Sequence, residues 1–584
     1  MGKQWLRFVL SCALLTLVTS ALAQGTVSNF QPVTDEVLLS PDDGDWIHSR
    51  RTYNGWGHSP LDQINRENVG ELTLAWARVM QPGSNESTPI VYNGVMYLGQ
   101  AGNTVQALDA ATGDLIWEYR REIPQLDQTT IAALGDTMRS VAIYEDKIYF
   151  LSSDAYVVAL DARTGQLVWE ASVGDPRVVG QTAGPLIVNG KVISGRACDP
   201  ALPGGCYITA HDSESGEELW RTFLIARPGE AGGDTWGDLP LESRFHVGAW
   251  GNVGAYDPEL GLVFWGTSVP APSPEVLRGT PGDPVLYSNS TLAIDVDTGE
   301  IVWYYQHLPR DNWDFDHPYE RMIMDIEVAP NPDEVPWINP NVVPGQVYKT
   351  LTNIPGKTGV IYSLDRETGE FLWARPTVRQ NVITEIRGDG TVVVNEDVIP
   401  DAIGEPYGLV CPTALGGRDW MAGAYNPDTN AIYQSLHNLC MEPEWQTDEW
   451  VPEDLYGISL DPFLAPGEEN VGTLQAYSAS TGELLWKYEQ PAAFMPVLST
   501  GGGLIFVGDV NRRFRAFDAA TGEVLWETIL GSVVSGHPVT YEVDGVQYVA
   551  VSAGGGIGIE GTYLAAAGLT APSGGNMIYV FKLP

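Results

Sequence analysis

Trp313-Asp314-Phe315-Asp316 sets two carboxylates two residues apart among large aromatic side chains. A carboxylate can take a proton in a transition state, and oxygen ligands of this kind suit a hard cation. Further along, Ile354-Pro355-Gly356-Lys357-Thr358-Gly359 presents one ammonium in a glycine-rich loop that feeds the apolar strand Val360 to Leu364. A fixed cation steadies negative charge that develops on an oxygen during reaction. Arg139, in Thr137-Met138-Arg139, and Thr182, in Thr182-Ala183-Gly184-Pro185, suit carboxylate binding. These residues are scattered along much of the chain. Other chemistries lack their signatures. There is no CxxCH for covalent haem, no CxxC or HExxH for zinc and no GxSxG nucleophile elbow. No Gly-x-Gly-x-x-Gly is expected to join a strand to a helix, so a bound dinucleotide is not expected either.

Residues so far apart need a scaffold that returns to one centre, and a repeated phrase supplies it. Ala107-Leu108-Asp109-Ala110-Ala111-Thr112-Gly113-Asp114-Leu115-Ile116-Trp117 is the first clear copy. Copies ending at Trp169, Trp220, Trp303, Trp373, Trp486 and Trp526 follow, and a degenerate one ends at Trp76. An alternating apolar strand meets Asp-x-x-Thr-Gly, whose glycine supplies a tight turn, and a second strand ends in tryptophan. Hairpins of this kind at irregular spacing predict one all-β radial array, an eight-bladed β-propeller, with the tryptophans packing between neighbouring blades. The longest gaps, Trp220 to Trp303 and Trp373 to Trp486, must carry extra loops. The strand-like Met577-Ile578-Tyr579-Val580-Phe581 is expected to pair with the N-terminal blade and close the ring, removing exposed edges.

The start of the chain reads as a secretory signal. Met1-Gly2-Lys3 and Arg7 precede the apolar run Phe8 to Val18 and then Ala21-Leu22-Ala23, with cleavage expected before Gln24. Residues 1–23 are thus a signal, 24–584 one propeller domain, and the mature protein periplasmic, with no integral membrane association. Four cysteines remain after removal of Cys12; of three connectivities the simplest is Cys198–Cys206 with Cys411–Cys440. The net charge of −42 excludes nucleic acid as a partner. It favours solubility, and it attracts a basic electron-accepting protein from a distance.

The Asp, Thr-Gly and Trp repeat resembles the tryptophan-docking motif of the pyrroloquinoline-quinone (PQQ) dependent, or quinoprotein, alcohol dehydrogenase family, over nearly all of the mature chain. The stretch Trp46 to Trp76, with Asn54-Gly55 and Ser59-Pro60-Leu61-Asp62-Gln63-Ile64-Asn65, looks like that family's first blade. The resemblance implies oxidation of a primary or secondary alcohol, with PQQ and Ca2+ or a lanthanide near the propeller axis. It makes Asp314 the catalytic base and a metal ligand, and Asp316 the additional carboxylate of lanthanide-using members. Lys357 becomes the cation at the reactive quinone carbonyl, catalytic and cofactor-binding. Glu86, Arg139, Thr182, Trp250, Asp419 and Trp420 become the remaining cofactor contacts, with Trp250 one residue further from Tyr256-Asp257-Pro258 than the family's floor tryptophan. Electrons would leave to an external carrier such as a soluble cytochrome c, since no haem motif is present.

The chain departs from that pattern in three places. Where many relatives have two adjacent cysteines over the quinone, it reads Ala133-Leu134. The usual metal-binding Glu is replaced by Arg196-Ala197-Cys198-Asp199-Pro200, and the usual Asn falls near Ser273-Pro274. Asp199 is the substitute metal ligand proposed for these losses. The competing function is a non-catalytic eight-bladed propeller used as an assembly scaffold or binding module. Asp314, Lys357, Arg139 and Thr182 occurring together speak against it.

Overall fold

The computed structural model describes residues 25–123, 137–199, 202–451, 456–555, 558–570 and 575–584. The signal segment 1–23 and the pair Ala133-Leu134 lie outside the described residues.

Eight antiparallel sheets follow one another around the chain, giving the eight-bladed all-β propeller. The Trp-terminated hairpins form the third and fourth strands of their blades. Blade 1 runs from Ile90 to Arg120, blade 2 from Ala142 to Ser172, blade 3 from Leu186 to Phe223 and blade 4 from Ala255 to Gln306. Blade 5 spans Ile323–Pro376, blade 6 Ala424–Gln490 and blade 7 Phe494–Ile529. Blade 8 takes three strands from the C-terminal end and its outer strand, Thr73–Val79, from the N-terminal side. Thr73 pairs with Lys582 and Val79 with Met577, so the ring closes as the apolar pattern of Met577 to Phe581 predicts. Inner strands are buried on both faces, whereas fourth strands such as Leu167–Ser172 alternate towards solvent. Blade 5 departs from this: its first strand, Ile323–Val328, alternates towards solvent, and its fourth, Phe371–Pro376, is mostly buried beside the added strand Trp337–Ile338.

Each part of the repeated phrase has a separate task. The Asp109 carboxylate accepts the amides of Ala111 and Thr112, bending the chain into its turn. Asp161, Asp212, Asp295, Asp365 and Asp518 do the same in later blades. The glycine adopts a positive φ, 76° at Gly113 and 71° at Gly165. It also lies against the preceding blade's tryptophan: a Cβ on Gly165 would stand 2.5 Å from the Trp117 ring. The indole N–H of Trp117 donates to the Ala162 carbonyl at 3.0 Å, and Trp76, Trp169, Trp220, Trp303 and Trp486 make the equivalent bond. In all eight blades the register shifts by one residue just before the tryptophan, as between Leu167 and Trp169. Such a bulge re-aims the side chain that follows it. The tryptophans therefore pack between blades, as the repeat implies.

The long gaps carry the expected insertions. Between Trp373 and Trp486 lie the hairpins Ile383–Ile386 with Val392–Val394, and Leu439–Met441 with Pro462–Leu464. Disulfides join Cys198 to Cys206 and Cys411 to Cys440, the simplest pairing. The longest described helix, Ile559–Ala566, has eight residues, and no described helix is long and apolar enough to cross a membrane. One expectation is corrected here: the sequence does contain a Gly-x-Gly-x-x-Gly, Gly556 to Gly561, which follows the strand Val546–Ala553 in the chain and whose last three residues open that helix. The strands on either side, Val546–Ala553 and Met577–Lys582, are antiparallel neighbours. A dinucleotide-binding unit needs them parallel, so the motif lacks its context.

Candidate active site

The segment that carries Asp314 connects blades 4 and 5 and is held open by another aspartate. Both carboxylate oxygens of Asp311 accept backbone amides flanking Asp314, from Trp313 at 2.7 Å and Phe315 at 2.8 Å, while Asn289 steadies the same carboxylate. Asp314 is thereby placed at a φ of 67°, a left-handed conformation that aspartate tolerates better than most residues. Downstream, the Arg321 guanidinium donates to the Tyr319 and His317 carbonyls and fixes the far end of the loop.

Lys357 meets this loop from the turn before the third strand of blade 5. Its amide donates to the Asp316 carbonyl at 2.8 Å. Its ammonium lies 2.8 Å from Asp314 Oδ2 and 2.7 Å from Asp316 Oδ2, with all three residues buried. The glycines of Gly416-Gly417-Arg418 follow from close approach: Gly417 N–H donates to the Lys357 carbonyl, and a Cβ on Gly416 would stand 2.8 Å from Lys357 Cα. Burial works against the Lys357 charge, but Asp314 and Asp316 outweigh it and hold the ammonium well above its ordinary pKa. Burial pushes the Asp314 carboxyl well above the usual range, opposed by Lys357 and reinforced by Asp316. Asp314 is thus a carboxyl with raised proton affinity beside a fixed cation, the pairing that general-base chemistry needs.

The second half of the site is an anion pocket with an aromatic floor. Arg139 pairs with Glu86 at 2.7 Å and donates to Thr182 Oγ1 at 2.9 Å and to the Trp250 carbonyl at 3.2 Å. Its guanidinium lies between two indoles, 5.3 Å from the Trp250 ring and 5.2 Å from that of Trp420. The Trp250 N–H reaches Asp316 Oδ1 at 3.4 Å, which ties this pocket to the carboxylate–lysine cluster. Asp419 accepts the Tyr319 hydroxyl at 2.8 Å; burial raises its pKa, with Lys357 opposing. The structure therefore gathers Glu86, Arg139, Thr182, Trp250, Asp314, Asp316, Lys357, Asp419 and Trp420 into one linked constellation.

The charge of Asp199, like that of Asp316, acts on the buried His246. Asp199 is buried after the strand Ala197–Cys198, and among the described residues no three His, Cys, Asp or Glu side chains group as a metal site. Asp314 and Asp316 form the acidic pair at Lys357. Several neighbours carried no motif signal in the sequence: Asp311, Tyr319, Tyr456, Glu560 and Tyr563. The Tyr456 hydroxyl is held above its ordinary pKa first by the Asp314 charge, then by burial. Asp311 and Tyr319 were reachable, since both flank the Asp314 motif; Tyr456 sits in an insertion with no repeat to anchor it.

Eight blades with tryptophans packed between them carry a buried lysine–carboxylate cluster linked to an indole-lined anion pocket, the outline of a propeller enzyme. The chain belongs to the PQQ-dependent dehydrogenases: the glucose/ethanol/alcohol dehydrogenase β-propeller domain matches residues 46–387 and 491–549. It is 32% identical to the quinoprotein alcohol dehydrogenase PedH of Pseudomonas putida, over 99% of this chain and 97% of that protein. It is 31% identical to a quinoprotein ethanol dehydrogenase of the same species, over 97% and 95%. Among solved structures, a europium-containing methanol dehydrogenase superposes with a TM-score of 0.83 at 27% identity, covering 94% of this chain and all of that one.

Proposed function

We propose that this enzyme oxidises a primary or secondary alcohol to the aldehyde or ketone at the axial cluster of Asp314, Lys357 and Asp316, with Trp250 and Arg139 seating PQQ. The observation that carries this reading is the contact chain from Arg139 through Trp250 to Asp316 and Lys357, which puts an anion pocket beside a poised base. The pocket suits a tricarboxylate with an aromatic core. It offers a guanidinium, a hydroxyl and two indoles, and Arg139 Nε and Trp420 Nε1 are buried without hydrogen-bond partners. The donor set also suits a cation. Four carboxyl groups (Glu86, Asp314, Asp316 and Asp419) lie beside Arg139 and Lys357, so an added tricarboxylate calls for a metal to balance it. Asp314 and Asp316 would hold Ca2+ or a lanthanide, with Asp199 the third proposed ligand.

When bound, the quinone supplies a two-electron hydride acceptor and the metal a Lewis acid. Asp314 accepts the alcohol hydroxyl proton as the C–H hydride departs. Lys357 keeps Asp314 oriented and places positive charge where oxygen gains electron density. Trp250 would offer its indole as a floor for the flat group and keep water from that face, while Trp420 backs the Arg139 guanidinium. Electrons then pass to a separate carrier such as a soluble cytochrome c, in the periplasm. The apoprotein supplied with PQQ and Ca2+ is expected to reduce a dye with alcohols across a panel, and NAD is not expected to replace the quinone. Robust NAD-dependent turnover without quinone would overturn this function.

A further inference from the structure

Helix Ile559–Ala566 follows the glycine-rich run of blade 8 and packs Tyr563 and Leu564 into the apolar cluster that contains Trp420 and touches Trp250. Glu560, in its first turn, is only 2% exposed. Its Oε1 has no hydrogen-bond partner and lies close to Gly555. The charged groups facing it are Glu86 from the loop before blade 1, Arg139 from the loop before blade 2 and Asp419 from the loop before blade 6; Tyr563 stands on its own helix. Glu86 and Arg139 are already paired at 2.7 Å. No step of the proposed reaction uses Glu560.

We propose that Glu560 is a cofactor-binding residue, a neutral carboxylic acid whose O–H donates to a carboxylate of the quinone gathered at Arg139; this rests on the PQQ reading above. An ionised Glu560 would add a second anion beside Glu86 in a site that must also admit a polyanion. A neutral Glu560 instead supplies the donor that Arg139, engaged by Glu86, Thr182 and Trp250, cannot fully supply. Burial, and then Glu86, pushes the Glu560 carboxyl up to about 8, so the donor form is the main one at neutral pH. A carboxylic acid kept neutral by an apolar site so that it can donate is an established chemical device.

Linkage sets the sign of the effect. The neutral form is the binding form, and an anionic ligand raises its pKa further. PQQ affinity is therefore level below about pH 8 and falls by up to about tenfold per pH unit above it. The test is equilibrium titration of the Ca2+-saturated apoprotein with PQQ, read by quenching of tryptophan fluorescence from pH 6.5 to about 9.5. Wild type is expected to show that fall. Glu560→Gln keeps a donor that does not ionise, so it is expected to bind at pH 7 within a few-fold of wild type and to lose the alkaline fall. Glu560→Leu is expected to bind about ten- to a hundredfold more weakly at pH 7. Wild-type affinity that stays level to pH 9.5, or a Glu560→Gln profile that keeps the wild-type fall, overturns the role of Glu560 alone. A wild-type protein that binds no PQQ at any pH overturns the underlying PQQ reading, and this assignment with it.

Discussion

Asp314 is the proposed base, and its surroundings say what its replacement should do. Asp314→Asn keeps the shape and the Asp311 clamp on the neighbouring amides, while Lys357 keeps Asp316 as a partner. Turnover is expected to fall about 10²- to 10⁴-fold, the usual worth of a positioned base, with the thermal midpoint little changed. PQQ affinity must be measured beside the rate, because Asp314 is also a proposed metal ligand. A variant that binds PQQ and metal normally and turns over at the parent rate removes Asp314 from the mechanism. The companion Asp316→Ala is expected to shift the preference between Ca2+ and lanthanides more than it shifts the melting curve. At this scale the sequence was legible where chemistry sits inside a short motif: Asp314, Asp316 and Lys357 each lie in a recognisable phrase and meet within 2.8 Å. Glu560 escaped notice because its glycine-rich surroundings read as a loop, and burial beside Glu86 comes only from ring closure. Asp311 was within reach, three residues before Asp314, but its role in positioning backbone amides has no sequence mark distinct from that of any turn aspartate.

The hairpin repeat was readable as turn plus packing, but not how one glycine serves both. Gly165 needs a positive φ and also lies under the Trp117 ring, where a Cβ would approach to 2.5 Å. Gly102 has nearly the same φ, 70°, with nothing within 4 Å of its would-be Cβ. Gly102→Ala is thus expected to cost only the left-handed penalty, about 1–2 kcal/mol. Gly165→Ala adds displacement of a buried indole between blades 1 and 2, with a further overpacking cost of about 1–3 kcal/mol. Urea unfolding of both variants checks the difference, and equal losses would show that the glycine serves the turn alone. The bulge before each tryptophan could not be read, because one extra residue in a strand leaves the apolar alternation looking continuous over so short a span. The same reasoning explains the insertions: their existence followed from spacing, but the hairpins within Trp373 to Trp486 carry no repeat from which to derive a register.

At the scale of the whole molecule, ring closure and net charge decide how the propeller meets its surroundings. Pairing of Thr73–Val79 with Met577–Lys582 leaves no open sheet between first and last blades, which the terminal apolar strand foretold. The charge has a kinetic consequence that the fold does not alter. With 74 acidic against 32 basic side chains, the surface potential is strongly negative, and under the proposed function electrons leave through an encounter with a separate carrier. A cationic acceptor is drawn in and an anionic one repelled, and salt screens both over a Debye length of about 10 Å at 0.1 M. For the PQQ-loaded, substrate-reduced enzyme, the second-order rate with a basic cytochrome c is expected to drop about tenfold or more as ionic strength rises from roughly 0.01 to 0.2 M. The rate with an anionic one-electron dye should rise over the same range. Stopped-flow mixing at several salt concentrations gives both slopes from one preparation, because the chemistry at Asp314 is common to the two acceptors. Rates that move in the same direction for both acceptors would place the salt effect at the buried site instead of the surface. Rates that do not move at all would leave the acidic surface a matter of solubility alone.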